Sequence, residues 1–553
     1  MEKYGIPDSL DYEKVSNCWG HFAESDESNQ IFLDSCLGNG FRNGLPGERH
    51  TGSTFFVSDL NGNGAKDLVL GDVDYPGLVM LTNGGSSMDA MMISQDWGFP
   101  FETKEINLFS MPAVAFLDVN NDNKRDLLVS PFDPNPYVSR NHQSSQLYLN
   151  DGEDDLPDFR FEKSIFLQEE MIDLGSGAYP ALLDVNGDGL KDLVVGNYGY
   201  YDSSWYDEWF FLHSSYTASL ALFLNTGTLT QPSYNFYNPD FAGLSELGVR
   251  ELVPTFADLD GDGDFDMLCG NENGKIMYFE NVAASMDTVI FQLKELNYQG
   301  IDVGDFSYPH LFDIDRDQLP DLIIGEKKGN LNYYRNTGSV QQPLFTFVTD
   351  SLGGVQVTDY SVSNNGYSCP RFFRVQDETR LIVGSEQGKL FYFKDVDENL
   401  PGKFPESDSL AFLVDTSGVD FFPAFRSSAV IDDINGDGWM DIFAGNFSGG
   451  IQLYSKTHVP VSPWIEENQA DVSLILYPNP AGAYVSLKAG ANVKSMIVRM
   501  YDMNGSLVRE FTVNKNYKEL YLQDLSPGIY LLRTRLFLQD QSISIRSDKL
   551  LIR

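Results

Sequence analysis

The chain has 553 residues, and its 80 Asp and Glu against 38 Lys and Arg give a net charge of −42. That charge excludes nucleic-acid binding through the bulk electrostatic field, and no apolar run approaches the roughly 18 residues of a membrane-spanning helix. A hydrophobic share of 42% and an aromatic share of 13% exclude a wholly disordered chain and allow sizeable cores.

One nine-residue loop recurs six times between residues 53 and 456. The copies, here loops 1 to 6, are Asp59–Asp67, Asp118–Asp126, Asp184–Asp192, Asp258–Asp266, Asp313–Asp321 and Asp433–Asp441. Successive copies begin 59, 66, 74, 55 and 120 residues apart. The last spacing is two periods, and a degenerate copy, Phe372–Arg380, fills it. Seven units at a regular period indicate a repeat architecture.

Each unit contains about four short apolar runs that are typical of strands. In the first unit STFFVS precedes the loop, LVLG follows it, and GLVML comes third. Four strands in each of seven units predict an all-β fold, a seven-bladed β-propeller over residues 53–456. The last unit is short of a fourth strand, so we expect the N-terminal segment, residues 1–52, to close the ring through residues 30–37.

The repeated loop has the side chains of a calcium site. Asp or Asn occupies positions 1, 3, 5 and 9, and a backbone carbonyl at position 7 completes the oxygen set that Ca²⁺ prefers. The predicted ligands are Asp59, Asn61, Asn63, Ala65 and Asp67 in loop 1; Asp118, Asn120, Asp122, Lys124 and Asp126 in loop 2; Asp184, Asn186, Asp188, Leu190 and Asp192 in loop 3; Asp258, Asp260, Asp262, Asp264 and Asp266 in loop 4; Asp313, Asp315, Asp317, Leu319 and Asp321 in loop 5; and Asp433, Asn435, Asp437, Trp439 and Asp441 in loop 6. We therefore predict about six structural Ca²⁺ ions.

Two other structures share features of these loops, the EF-hand and the metal-free turn. EF-hands begin with the same pattern but need Glu at position 12 and flanking helices; position 12 is apolar here, as in Leu70 and Val195. Metal-free Asp, Asn and Gly turns are the second alternative, and six copies with Asp at both ends disfavour it. The degenerate copy has Phe372, Arg374, Gln376 and Arg380 at the ligand positions, so we expect it to bind no metal.

The third unit carries an aromatic insertion, residues 197–218, between its second and third strands. Exposed Trp and Tyr side chains bind sugars and partner proteins well, which makes Tyr200, Tyr201, Trp205, Tyr206 and Trp209 candidate ligand-binding residues. The alternative is a local core packed over the fold. The insertion in the second unit, residues 131–146, is expected beside it, on the face opposite the loops.

The charge changes sign near residue 470. Residues 472–553 carry 11 Lys and Arg against six Asp and Glu, whereas the rest is strongly acidic. Residues 457–471, with two prolines and no periodicity, are predicted to be a linker. The C-terminal 82 residues alternate like strands around turns at 504–505 and 526–528, which predicts a small, immunoglobulin-like β-sandwich.

Two family resemblances rest on these motifs. The D-x-(N/D)-x-(N/D)-G-x-x-D loops resemble FG-GAP and VCBS repeats, as in integrin α-subunit propellers, where calcium is structural. The combination of YPNP, DMNG, LSPGIY and a basic last strand resembles the type A sorting domain of the Bacteroidetes type IX secretion system. The resemblance implies an extracellular or outer-membrane-surface protein whose C-terminal domain is recognised by the secretion machinery.

The N-terminus raises two further questions. Residues 1–14 have no basic start and no apolar core, so they are not a signal peptide, and we expect the chain as given to be truncated. Cys18 and Cys36 could pair in an exported protein, and the sequence leaves that pairing open.

Catalytic motifs are missing from the sequence. It has no G-x-S-x-G elbow, no H-E-x-x-H and no P-loop, and the six histidines have no metal-binding spacing. We therefore expect a non-catalytic module that binds a glycan or a protein. The alternative is a propeller enzyme, a lyase or hydrolase acting on polysaccharide.

Overall fold

The computed structural model divides the chain into two compact units, Met1–Ile465 and Glu466–Arg553. It describes residues 16, 18–25, 29–36, 52–73, 75–109, 111–132, 139–140, 142–169, 171–207, 212–284, 288–407, 410, 423–456, 461–465, 474–477, 481, 483–490, 493–501, 507–522, 525–538 and 543–552. Strands dominate both units. The helical segments among these residues are the short α-helix Val396–Asn399 and the 3₁₀ turns Phe241–Leu247, Tyr298–Gly300 and Leu352–Gly354. None of the helices in these ranges is long and apolar enough to cross a membrane.

Seven antiparallel sheets, I to VII, follow one another along the first unit, with their strands in chain order. The strands are Ser53–Ser58, Asp67–Asp72, Leu78–Asn83 and Met92–Phe99 in sheet I; Pro112–Leu117, Asp126–Pro131, Gln146–Asn150 and Phe159–Lys163 in sheet II; Tyr179–Leu183, Asp192–Gly196, Leu220–Asn225 and Tyr234–Asn238 in sheet III; Val253–Ala257, Asp266–Gly270, Ile276–Asn281 and Phe291–Glu295 in sheet IV; Tyr308–Phe312, Asp321–Gly325, Leu331–Asn336 and Phe345–Thr349 in sheet V; Cys369–Val375, Glu378–Gly384, Phe391–Phe393 and Glu406–Ser407 in sheet VI; and Ser428–Asp432, Asp441–Gly445 and Ile451–Tyr454 in sheet VII.

The second strand of each sheet forms the centre of the core. In sheets III, IV, V and VII every residue of this strand is buried, which explains its continuous apolar run. A strand covered on both faces needs apolar side chains on both, so it does not alternate with polar residues.

Sheets III to VII form a closed ring. The first strands of successive sheets lie side by side, and Ser428–Asp432 of sheet VII lies beside Tyr179–Leu183 of sheet III. Two backbone hydrogen bonds hold this closure, from the Gly177 N–H to the Phe447 carbonyl (2.8 Å) and from the Leu174 N–H to the Gly449 carbonyl (3.1 Å). The ring therefore has five sheets, which differs from the predicted ring of seven.

One residue at the end of the second strand explains why the ring begins at sheet III. In the ring sheets this residue is a glycine, and in sheet II it is not. A Cβ atom on Gly196 would lie 1.8 Å from the Leu252 carbonyl oxygen of the next sheet, and one on Gly445 would lie 2.0 Å from that of Ala178. Sheet II has Ser130 at this position. Because its side chain needs the space that the next backbone would fill, sheet II cannot take a following sheet in the same way.

Sheets I and II, which precede the ring sheets along the chain, pack on each other. They share a buried cluster in which the Phe56 and Phe116 rings lie 4.4 Å apart. The N-terminal segment covers the other face of sheet I as a hairpin of Phe22–Glu24 and Ile31–Leu33, held by a disulfide between Cys18 and Cys36. Residues 30–37 were predicted to complete sheet VII, and this prediction is wrong: Ile31 instead packs on the apolar face that sheet I leaves open.

The predicted linker, residues 457–471, contains a strand. Val461–Ile465 pairs in parallel with Tyr234–Asn238, the outer strand of sheet III, and becomes its fifth strand. The physical reason is the open edge of that outer strand, whose backbone N–H and C=O groups need partners. After sheet VII the chain thus adds a strand to the neighbouring sheet III.

The C-terminal unit consists of two antiparallel sheets. Sheet VIII contains Leu474–Tyr477, Tyr484–Ala489 and Tyr517–Tyr521, and sheet IX contains Leu507–Val513, Val493–Tyr501, Gly528–Leu538 and Ile543–Ile552. Side chains from both sheets form one buried cluster, including Leu487, Val498 and Leu532. This unit has its own core, and its start at residue 466 lies close to the predicted boundary at 472.

Candidate metal centre

All six acidic loops join the first strand of a sheet to its second strand. The Asp at position 9 is in each case the first residue of the second strand. Loops 1 and 2 belong to sheets I and II, and loops 3 to 6 belong to sheets III, IV, V and VII of the ring.

One hydrogen-bond framework recurs in all six loops. The N–H at position 5 donates to Oδ1 at position 3 over 2.9–3.3 Å. The N–H at position 7 donates to Oδ1 at position 5 over 2.7–3.0 Å. Oδ2 of the Asp at position 1 accepts from the N–H at position 6 over 2.8–3.2 Å. Polar side chains at alternate positions thereby curl the loop around its own interior.

Left-handed backbone at positions 4 and 6 makes this curl possible. In every loop φ lies between 61° and 77° at position 4 and between 69° and 97° at position 6. Four loops place Gly at both positions, where glycine adopts this conformation without strain. Loop 2 uses Asn121 and Asn123, whereas loop 5 uses Arg316 and Gln318, which are less favourable there.

The carboxylates of loops 4 and 5 converge. One oxygen from each of Asp258, Asp260 and Asp262 lies within 4.8 Å of the others, and the same holds for Asp313, Asp315 and Asp317. Asp264 and Asp313 each have a buried carboxylate oxygen, Oδ1, without a hydrogen-bond partner. Converging oxygens with an unsatisfied buried acceptor fit a hard divalent cation such as Ca²⁺. The position 7 carbonyls, from Ala65 to Trp439, stay a prediction as ligands.

The carboxylates at position 9 are buried, and burial disfavours their ionised form. Burial raises the pKa of Asp192, Asp321 and Asp441 to about 6 and that of Asp266 to about 7. In loop 4, burial and the neighbouring carboxylates, first Asp262, also raise the pKa of Asp264 to about 6. A cation within such a loop would reverse this penalty, because a nearby positive charge favours the ionised carboxylate.

Sequence reasoning missed a buried asparagine that supports each of the first five loops. Its backbone N–H donates to Oδ1 of the position 9 Asp over 2.7–2.9 Å, and it ends the third strand of the sheet. The five are Asn83, Asn150, Asn225, Asn281 and Asn336. The signal was visible in the recurring Asn that ends the runs YLN, FLN, FEN and YRN. The loop is thus bound to the third strand as well as to the first two.

The degenerate copy is built differently. Cys369–Val375 and Glu378–Gly384 pair up to Val375 and Glu378, so Gln376 and Asp377 alone form the turn. Both turn residues have positive φ, 51° and 69°. A tight hairpin therefore replaces the acidic loop in sheet VI, and Arg374 from this hairpin donates to the backbone carbonyl of Asp313 in loop 5 (2.8 Å).

The aromatic insertion forms a hairpin of Tyr200–Tyr206 and Leu212–Thr217. Its base belongs to a core, since Tyr198 and Tyr216 are buried against Phe447. Its outer face is open: Trp205 is 50% exposed and stacks on His213, whose Nε2 lies 2.9 Å from the Asp207 carboxylate. The base therefore fits the interpretation as a local core, whereas ligand binding by the exposed Trp205 stays a prediction.

Two of the other candidate ligand-binding residues lie near the base of the hairpin. Tyr200 and Tyr201 are half-buried, and the His142 ring from the second-unit insertion lies 4.9 Å from that of Tyr200. The predicted adjacency of the two insertions is thus confirmed. Trp209 and the side chain of Tyr206 lie outside the described residues.

Comparison with known proteins identifies two segments of the chain. Residues 184–269 match the FG-GAP-like repeat, and residues 475–545 match the secretion system C-terminal sorting domain. No curated protein sequence matches the chain.

Three solved structures with a resemblance are distant from this chain. An extracellular domain of a hybrid two-component system from B. thetaiotaomicron is 12% identical, with 98% of this chain and 85% of that one covered and a TM-score of 0.24. An Agrocybe aegerita lectin that recognises non-reducing terminal N-acetylglucosamine is 16% identical, with 64% and 79% covered and a TM-score of 0.22. PorZ, a surface component of the type IX secretion system of Porphyromonas gingivalis, is 13% identical, with 89% and 51% covered and a TM-score of 0.16. At these TM-scores the resemblance supports no inference about this chain.

The two matched segments agree with the motifs in the sequence. The FG-GAP-like match begins at the first residue of loop 3 and extends past loop 4. A type IX sorting domain directs a protein out of the cell, so the chain is a secreted or cell-surface protein. The chain therefore contains a match to the FG-GAP-like repeat at residues 184–269 and a match to the secretion system C-terminal sorting domain at residues 475–545, which confirms both resemblances.

Proposed function

We propose that the six acidic loops bind Ca²⁺ and that these ions stabilise the fold. The observation that supports this most strongly is the convergence of three carboxylates in each of loops 4 and 5, within a hydrogen-bond framework that all six loops share. Bound Ca²⁺ would supply the positive charge that the loop 4 carboxylates lack. The chain's own residues hold the oxygens in place, exclude bulk water at position 9 and bind each of the first five loops to three strands.

The proposal extends to the architecture. The five-sheet ring is a β-propeller of the FG-GAP type, with sheets I and II as an additional pair, and the C-terminal unit is an immunoglobulin-like sandwich. The loops sit at one end of each sheet, whereas the aromatic hairpin follows the second strand and lies at the other end. Calcium is therefore structural here and is separate from ligand binding.

The proposed activity is non-catalytic binding of a glycan outside the cell. Trp205 offers a half-exposed indole face, and Ser203, His213 and Thr217 on the same hairpin are exposed polar groups. An aromatic face bordered by hydroxyl and carboxylate groups is suited to a sugar ring, which has an apolar face and hydroxyl edges. The Ser203 and Ser215 hydroxyls, 3.1 Å apart, continue this polar border.

The test is glycan-array binding by the full chain, compared with Trp205→Ala. Losing the platform should weaken binding at least tenfold, since an aromatic anchor at a hot spot contributes about 2 kcal/mol or more, and the melting temperature should hardly change. Tyr237→Ala, which removes another exposed aromatic side chain of sheet III (59% exposed), is the matched control. Unchanged glycan binding by Trp205→Ala, or equal loss in the control, would contradict the assignment of this surface.

A further inference from the structure

Loop 5 differs from the other five loops by an arginine placed on its carboxylates. Arg335 comes from the third strand of sheet V, Leu331–Asn336. Its Nη2 lies 2.7 Å from Asp315 Oδ2 and 3.1 Å from Asp317 Oδ2. These are the acidic side chains at positions 3 and 5, the positions that a cation would need.

In the other five sheets that carry an acidic loop, the equivalent residue has no positive charge. The strand pairing places Thr82, Leu149, Leu224, Glu280 and Ser455 at this position for loops 1, 2, 3, 4 and 6. Loop 4 makes the sharpest contrast, because it has Asp at positions 1, 3, 5 and 9 as loop 5 does, but Glu280 in place of Arg335. Within the described ranges, Arg335 alone forms an ion pair with a carboxylate at position 1, 3, 5 or 9.

Two further arginines fasten loop 5 to sheet VI. Arg316, at position 4, reaches Asp397 and Asp377 with N–O distances of 3.1 Å. Arg374 donates to the Asp313 carbonyl over 2.8 Å. Sheet VI is the sheet whose own acidic loop is replaced by a tight hairpin, so the junction between sheets V and VI is made by arginines on both sides.

We infer that Arg335 is a built-in counter-ion of loop 5, which makes loop 5 the weakest of the six calcium sites and the one least dependent on calcium for its shape. The inference rests on the proposed calcium binding. A guanidinium on two of the ligands opposes a second cation in the same loop, and it already neutralises part of the repulsion that calcium would relieve. Loop 4, with no such counter-ion, should bind first.

The test is the number of Ca²⁺ ions bound by the full chain across a series of free calcium concentrations, measured by equilibrium dialysis and elemental analysis. In the wild type, one ion should need about tenfold more free calcium than the others, and Asp313→Ala should remove that weak ion. Arg335→Gln should bring this ion into the range of the others. The double variant Arg335→Gln with Asp313→Ala should lose it again.

A matched control and a second readout complete the test. Arg499→Gln removes an arginine of similar exposure (53% against 48%) that pairs with Glu510 in the C-terminal unit, and its calcium curve should equal that of the wild type. In EDTA, Arg335→Gln should melt below the wild type, while in excess calcium the two should melt together. An unchanged curve for Arg335→Gln, or loss of a tight ion in Asp313→Ala, overturns the inference alone. Absence of bound calcium in every variant overturns the proposed calcium function and this inference with it.

Discussion

The asparagine that ends the third strand in sheets I to V supports the acidic loops through buried contacts. In sheet III the Asn225 N–H donates to Asp192 Oδ1 (2.7 Å), and its own Oδ1 accepts from the N–H groups of Gly227 (3.2 Å) and Ser233 (2.9 Å). The buried side chain therefore closes the turn after the third strand, while the backbone N–H holds the residue against loop 3. This role is independent of any metal ion.

We expect Asn225→Ala to destabilise the protein by about 1–2 kcal/mol, because two partly buried N–H groups lose their acceptor. Chemical denaturation monitored by circular dichroism measures this difference. Asn273→Ala, which changes an exposed asparagine in the turn that follows the second strand of sheet IV, should cost less than about 0.5 kcal/mol. Equal effects in the two variants would show that the buried contacts of Asn225 are not important for stability.

At the scale of elements, local structure was predictable because its causes are local. The left-handed turns at positions 4 and 6 follow from Gly62 and Gly64 and their equivalents, and the buried second strands follow from runs such as DLIIG. The ring size was not predictable from repeat counting. It depends on contacts between distant residues, such as Gly445 with Ala178, and the one local signal was Ser130 in place of glycine.

The strand Val461–Ile465 is the element whose role the sequence hid most completely. Pro460 precedes it and Pro463 lies within it, which is typical of a linker, but the strand pairs in parallel with the open edge of Tyr234–Asn238. We expect a chain ending at residue 456 to be about 2 kcal/mol less stable than one ending at 465, because the edge loses its backbone hydrogen bonds.

Hydrogen exchange locates this effect. The amides of Tyr234–Asn238 should exchange faster in the shorter chain. Those of Tyr308–Phe312, the first strand of sheet V, should be unchanged, because sheet V does not neighbour sheet III in the ring. Identical exchange at Tyr234–Asn238 in both chains would mean that the strand does not stabilise the edge of sheet III.

For the whole molecule, the raised pKa values of the buried carboxylates predict how stability depends on pH without calcium. Asp192, Asp321 and Asp441 have pKa values of about 6 and Asp266 of about 7 in the fold, against about 4 when unfolded. Between these values the folded state binds more protons than the unfolded state, so this contribution is complete below about pH 4 and is lost as the pH rises through 6 to 7.

In EDTA, therefore, the melting temperature should be higher at pH 5 than at pH 8. Excess calcium should remove or reverse the difference, since a bound cation lowers the pKa of its carboxylate ligands. Scanning calorimetry at both pH values with and without calcium measures all four states. A melting temperature in EDTA that rises from pH 5 to pH 8 would contradict the predicted titration of these groups.

The most direct measurement of the central claim is the number of bound Ca²⁺ ions together with the melting temperature, before and after EDTA. At about 1 mM Ca²⁺ and a Kd of ~0.1 mM, each site stabilises the fold by about 1.4 kcal/mol. Independent sites would add up to several kcal/mol, a large share of the stability of a typical domain. We predict five to six ions per chain, one fewer in Asp258→Ala, and a melting temperature that falls by many degrees in EDTA and recovers with calcium. Fewer than two ions per chain, with a melting curve indifferent to EDTA, would show that the acidic loops are turns and not metal sites.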